Sequence, residues 1–315
     1  MTHNRIRQVE LENCMAWKLR FRCRVAVATL VAALAALAGC GADEPVAPAR
    51  YAAIDRLYDQ LRAGVEASPD LDYVVNIDHS RLAGEQGVVM PPSHVLIASA
   101  PKLEAEMFAH KPLLALDLPL RALAYEAPDE QAAVTYNRWA YIAARHGVDE
   151  VPQLAEAYRA AMEKIVNKVP PSSIRHFETD RMDTDGIITL DSEHDFETTV
   201  ERTRAAINSQ GDTVWFGEID FQAQAAEFGI AVSPGRLLLF GAPGPGGKVM
   251  AAAPTLGLDA FCQKLLIWQG ADGRVRVSFN DLLALAERQG VGLNIPLRVV
   301  DSRLSSTFEA ATGPD

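Results

Sequence analysis

An aspartate followed at once by a histidine, Asp78-His79, closes the apolar run Tyr73 to Ile77. Carboxylate and imidazole together are what general-base catalysis and metal ligation draw on. Adjacent strand residues point to opposite faces, so Asp78 cannot orient His79 directly, and a turn or cap role for Asp78 competes with chemistry. With Asp117 the pair would make an enzymatic or metal-handling pocket. The later histidines, His94, His110, His146, His176 and His194, show no HExxH or CxxC-type spacing, so no tetrahedral metal set and no cofactor is expected. Gly244-Pro245-Gly246-Gly247 lacks the Lys-Ser/Thr of a phosphate-binding loop and reads as a plain loop. A G-x-S-x-G nucleophile elbow is absent.

A second chemistry belongs to a thiol. Leu37-Ala38-Gly39-Cys40 ends a 13-residue apolar stretch, Val25 to Leu37, that follows Lys18, Arg20, Arg22 and Arg24. This is the layout of a bacterial lipoprotein signal, with residues 1–39 removed and lipid attached covalently to Cys40. Thirteen residues are too few for a membrane-spanning helix, which needs about 20. Met15 heads a more ordinary basic region than Met1, so translation is expected to start there. Gly41 stands where an inner-membrane retention signal would place Asp, which implies an outer-membrane anchor facing the periplasm. Residues 40–50, small, polar and proline-containing, read as the tether.

Cleavage would take six of the 30 basic and two of the 41 acidic residues, leaving 24 against 39 and a net charge of −15. Phosphate backbones repel such a globule, so nucleic acid is not an expected partner. Of four cysteines only Cys262 would remain as a free side chain, so no intrachain disulfide can form. Cys262 lies in an apolar stretch and reads as a small core residue.

What must position the candidate residues is a repeat. A shift of 142 residues lays Ile77-Asp78 on Ile219-Asp220, Gly87 on Gly229, Pro92 on Pro234, Ala100-Pro101 on Ala242-Pro243 and Leu116-Asp117 on Leu258-Asp259. One extra residue in the second copy then moves the offset to 143, and Asn137 meets Asn280, Arg145 meets Arg288 and Gly147-Val148 meets Gly290-Val291. Two homologous domains follow, 51–166 and 187–315, joined by a connector at 167–186. Asp117 and Asp259 read as turn residues or as a carboxylate pair across a pseudo-twofold axis. Asn137 and Asn280 precede the last helix of each copy, where an N-cap role accounts for them. With Asp220, they are the residues offered for binding.

In the second copy the pattern predicts strands near 187–190, 213–219, 236–240, 264–268 and 275–279. Helices are expected over 195–209, capped by Asp191 or Ser192, over 222–228, and from Asp281. The first copy predicts a helix over 54–65 and strands near 73–77, 94–98, 121–126 and 133–136. Its leading strand is missing, and Ile174 to Glu178 of the connector is expected to cover the open edge. The class is α+β: strand, helix, four strands, helix, with helices on one face of an antiparallel sheet.

Ile77-Asp78-His79, Leu116-Asp117-Leu118-Pro119-Leu120 and Tyr136-Asn137 in the first copy resemble motifs of the family catalogued as domain of unknown function 302. Phe240-Gly241-Ala242-Pro243 and Phe279-Asn280-Asp281 do so in the second. Each copy departs somewhere: Ala98-Ser99-Ala100-Pro101 replaces the Phe-Gly turn, Arg138 the final Asp, Phe221 the His, and Asp259-Ala260-Phe261-Cys262 the Leu-Pro run. The resemblance covers about four-fifths of the chain after Cys40. It implies a TATA-binding-protein-like fold and a monomer whose two copies pair as single-copy members pair in homodimers. It carries no reaction. The expected function is a non-catalytic module binding a small molecule or an envelope protein, held at the membrane by its lipid. The alternative is an enzyme or metal-handling protein around His79.

Overall fold

The computed structural model describes residues 48–148, 151–292 and 294–314; the signal, Cys40 and most of the tether lie outside them. The first copy runs α1 (Pro48–Glu66), β1 (Asp72–Asp78), α2 (His79–Glu85), β2 (Ser93–Ser99), α3 (Pro101–His110), β3 (Leu120–Glu126), β4 (Ala132–Thr135), α4 (Trp139–His146) and α5 (Pro152–Val166). The second runs β5 (Ile187–Asp191), α6 (Phe196–Asn208), β6 (Val214–Asp220), α7 (Phe221–Glu227), β7 (Gly235–Gly241), α8 (Pro243–Met250), β8 (Gln263–Gln269), β9 (Val275–Asn280), α9 (Leu282–Arg288) and α10 (Ile295–Thr312). A 3-10 segment precedes the third strand of the repeat in each copy, Pro112–Asp117 and Pro254–Gly257. The chain is thus a tandem α+β protein. Its antiparallel sheets are ordered β1-β2-β3-β4 and β5-β9-β8-β7-β6.

Register exposes the repeat. Ile97 pairs with Arg121 and, 142 residues on, Leu239 pairs with Lys264, so Arg121 and Lys264 hold the same place on their sheets. The extra residue of the second copy therefore falls between Asp259 and Gln263, where Cys262 takes a positive φ of 50°. Helices α1 and α5 cover one face of the first sheet, and α6 and α10 the matching face of the second. Every residue of β2 and β3 is buried, so their other face needs a cover too. The other copy supplies it: Pro254–Gly257 packs on β2 and β3, and Pro112–Asp117 on β8 and β9. One apolar core runs through the junction, joining Ile77, Leu103 and Phe108 to Phe221, Leu239 and Leu266. Phe108 and Phe221 stack there with centroids 4.5 Å apart.

Helices cross the junction in two pseudo-symmetric pairs, α2 with α8 and α3 with α7. This explains an expectation that failed. Gly244-Pro245-Gly246-Gly247 is not a loop but the body of α8, with Pro243 at its first turn. Glycine weakens an isolated helix, but here it lets α8 approach α2: a Cβ on Gly247 would come within 2.5 Å of Ala83 Cβ. Tertiary packing overrides propensity.

Other differences are local. Helix α1 begins at Pro48, so the last three tether residues are helical. Helix α6 is capped by Asp195, which accepts from Thr198 N, rather than by Asp191 or Ser192. Asp191 is instead spent in β5. The connector covers the edge of β4 with a single parallel bridge, Ile174 to Val134, where Arg175 N donates to Val134 O at 2.8 Å. Helices α2, α3, α5 and α10 have no counterpart among the expected elements.

Valine at position 247 must push α2 and α8 apart. Gly247→Val is expected to lower stability by about 1–3 kcal/mol, read as a shift of the urea midpoint of the full chain in detergent. An unchanged midpoint would contradict the close approach.

Candidate functional site

Three polar pairs matched by the repeat, Asp117 with Asp259, Asn137 with Asn280 and Arg145 with Arg288, meet between the copies. Asp117 ends its 3-10 segment with only 1% of its side chain exposed. Arg145, from α4, donates through Nη1 to both Asp117 oxygens at 3.1 Å. Its Nη2 crosses to Asn280 Oδ1 at 2.7 Å and to Gly186 O at 3.1 Å, and its Nε reaches Asp185 O at 2.8 Å. The second copy answers in kind. Arg288, from α9, donates through Nη1 to Asn137 Oδ1 at 2.9 Å and lies 3.5 Å from Asp259. Asn137 Nδ2 donates to Asp259 Oδ1 at 2.9 Å. Each arginine thus grips the asparagine of the opposite copy, and all six residues are buried.

Aromatic faces complete the enclosure. The Arg288 guanidinium sits 3.4 Å from the Tyr141 ring centroid and 4.7 Å from that of Phe177. Such stacking suits the weakly hydrated guanidinium better than an ammonium. Arg121 donates across the junction to Leu258 O and Cys262 O, at 3.4 and 3.2 Å. Lys264, its counterpart, is 2% exposed, and burial followed by repulsion from Arg121 lowers it to about 8.

Burial opposes the charge on Asp117, but Arg145 and His146 outweigh it and hold the carboxyl well below the carboxylate range. His146 Nε2 lies 2.6 Å from Asp117 Oδ2. Burial keeps that imidazole neutral, so Nε2–H donates to the carboxylate. Burial likewise raises the Cys262 thiol, so no reactive thiolate arises there.

The expected pocket of His79, Asp78 and Asp117 does not assemble. Asp78 caps α2 by accepting from Arg81 N at 2.8 Å, and Asp220 caps α7 in the same way through Ala223 N at 2.9 Å. His79 is buried at the junction, its Nε2 3.0 Å from Gly257 O. A Cβ on Gly257 would strike that ring at 2.7 Å. The imidazole is therefore a fitted contact between the copies. Burial, only partly offset by that carbonyl, lowers its pKa to about 4.

The N-cap reading of Asn137 and Asn280 is corrected. Arg138 and Asp281 occupy the cap positions of α4 and α9, and Asp281 accepts from Leu283 N and Ala284 N. Both asparagines serve the junction instead. Asp117 and Asp259 do form a pair related by the pseudo-twofold axis, each bound to cations rather than turning the chain. Their partners Arg145 and Arg288 share the asparagines' 143-residue offset, the one sign of this role that the sequence carries.

The pattern described as "Domain of unknown function DUF302" matches residues 47–169 and 188–311. The chain belongs to the DUF302 family, in two copies. It is similar to proteins named "Fluoride-specific ion channel FluC 1" from Brucella suis and Brucella abortus. Each is 36% identical over 109 residues, which are 35% of this chain and 42% and 40% of those proteins. The chain thus spans about two-fifths of the length of these relatives. Among the described residues no helix is long and apolar enough to cross a membrane. A crystal structure of an uncharacterized DUF302 protein from Bacillus stearothermophilus is 15% identical, with TM-score 0.34 over 40% of this chain and 95% of that one.

A histidine held neutral by burial makes stability pH-dependent in a definite sense. The folded pKa of His79 lies below the ordinary 6.5, so the unfolded chain binds more protons between about pH 6.5 and 4. Stability is therefore full above 6.5 and falls as pH drops toward 4, by on the order of 3 kcal/mol from this group. His94 and His146 are shifted the same way and add to the slope. Urea midpoints at pH 7 and 4.5 should differ less in His79→Gln than in the natural chain; parallel behaviour would contradict the assignment.

Proposed function

We propose that this chain is a non-catalytic binding module, tethered by a lipid on Cys40 to the periplasmic face of the outer membrane, that presents its paired DUF302 domains to an envelope protein. One observation carries the reading. Asp117, Asn137, Asp259 and Asn280, which the repeat matches in pairs, are taken up by Arg145, Arg288 and one another across the buried junction, so they face no substrate. A drug-sized ligand needs a pocket of about 300–1,000 Å³, whereas the crevice lined by Phe240, Phe261 and Leu304 and the one lined by His79, Phe216 and Met250 have room for only a few water molecules. A junction filled by its own side chains, with crevices this narrow among the described residues, favours a protein partner over a small molecule. The channel names of the Brucella relatives support a post beside a membrane; transport itself would need spanning segments.

In-cell crosslinking followed by mass spectrometry tests this. The same envelope protein should be recovered in repeated experiments, and Cys40→Ala should abolish its recovery by releasing the chain from the membrane. A specific small molecule that co-purifies with the full chain, and is lost from a still-folded Asn137→Ala variant, would overturn the reading.

A further inference from the structure

We propose that Asp55, Asp78 and His94 form a binding site for a divalent transition-metal ion in the first domain, standing apart from the junction and independent of the binding-module reading. Three elements supply the ligands: Asp55 from α1, Asp78 from the end of β1 and His94 from the start of β2. One ligand atom from each lies within 4.8 Å of the others.

The division of labour at Asp78 favours ligation. Its Oδ1 is spent on the helix cap, accepting from Arg81 N at 2.8 Å and Ser80 Oγ at 2.7 Å. Its Oδ2 lies 4.0 Å from His94 Nδ1 and accepts from Nη1 of the half-exposed Arg81. His94 is 7% exposed, and its buried Nδ1 has no hydrogen-bond partner among the described residues. The ring itself is fixed, stacked on Tyr58 at 3.6 Å and 1° and held at Nε2 by Asn76 at 3.3 Å. A ligating imidazole donates through its other nitrogen, and Asn76 meets that need once its amide is turned so that Oδ1 accepts from Nε2–H.

The second copy shows what this place is for. At the repeat offset Asp78 becomes Asp220, Asp55 becomes Glu197 and His94 becomes Arg236. Arg236 donates to Asp220 at 2.9 Å and to Glu218 at 2.8 Å, a permanent cation built into the strand. The first copy has an imidazole where the second has that guanidinium, and burial opposes its charging. Its carboxylates borrow a cation from elsewhere: Arg81 pairs with Asp55 at 2.8 Å and with Asp78, from a side chain that is 48% exposed. Such a solvent-facing arginine can be exchanged for a metal ion.

Bonds of about 2.1 Å to nitrogen and oxygen place ligand atoms about 3.4 Å apart. Asp78 Oδ2 and His94 Nδ1, 4.0 Å apart, must therefore draw together slightly, and the half-exposed Asp55 must close on them as Arg81 leaves. One imidazole and two carboxylates select zinc, cobalt or nickel over calcium or magnesium, which prefer all-oxygen shells.

Co2+ and Zn2+ alone are the probes, with the full chain in detergent. Cobalt should develop visible absorption bands and be displaced by zinc, while an excess of Mg2+ leaves them unchanged. Asp55→Asn and His94→Gln should each weaken binding by about tenfold or more. Arg81→Ala should tighten it, because the competing cation is gone, and that gain separates ligation from a general loss of structure. Thermal unfolding of each variant verifies folding. The proposal is overturned if neither the natural chain nor Arg81→Ala binds cobalt, or if folded Asp55→Asn and His94→Gln bind it as the natural chain does.

Discussion

The crossed grip of Arg145 on Asn280 and of Arg288 on Asn137 is the constraint around which the two copies are arranged. A guanidinium taken out of water is costly unless it is paired with a charge and hydrogen-bonded. Here each domain brings an arginine and leaves its last partner in the other copy. The Arg–carboxylate pair within a copy neutralises charge, while the Arg–asparagine bond between copies fixes how they face each other. Around this polar centre the apolar faces of both sheets close, each covered by the other copy's 3-10 segment. The junction is therefore a core cut in two by sequence rather than a surface contact.

The symmetry is broken where the copies have diverged. His146 donates to Asp117, but the matching Gln289 does not reach Asp259, and its amide atoms have no partner among the described residues. Arg121 faces carbonyl oxygens, and Lys264 stands in its place on the other sheet. The second copy inserts a residue near Cys262 where the first runs Leu118-Pro119. Away from the junction the divergence is sharper: His94 in one copy, Arg236 in the other. A duplicated chain can keep one surface for holding itself together and let the remaining surfaces take separate duties. The buried motif residues serve the first need.

Much of this fold is legible in residue order. Alternation and turn residues locate the nine strands of the described residues to within a residue or two, because Asp272-Gly273, Gly87 and Gly229 punctuate them and apolar residues fill them. The repeat is legible because its prolines, glycines and aspartates hold fixed offsets. What escapes is whatever depends on distant neighbours. Helix α8 reads as a loop because glycine's local cost is visible in the sequence and its closeness to Ala83 is not. Asn137 and Asn280 read as caps because a residue just before a helix has a local explanation ready, whereas their partners lie 151 and 135 positions away. His94 carries no spacing motif, since its neighbours Asp55 and Asp78 come from different elements. Local grammar predicts local structure; side chains that work between copies need the third dimension.

The most direct measurement is a pair of double-mutant cycles, Arg145 with Asn280 and Arg288 with Asn137, each truncated to alanine singly and together, with stability read from urea unfolding. If the crossed grip holds the copies together, each cycle returns a coupling above about 1 kcal/mol, of the same sign in both. Truncations that add independently, within about 0.5 kcal/mol in both cycles, would mean that the copies are held by something other than these bonds.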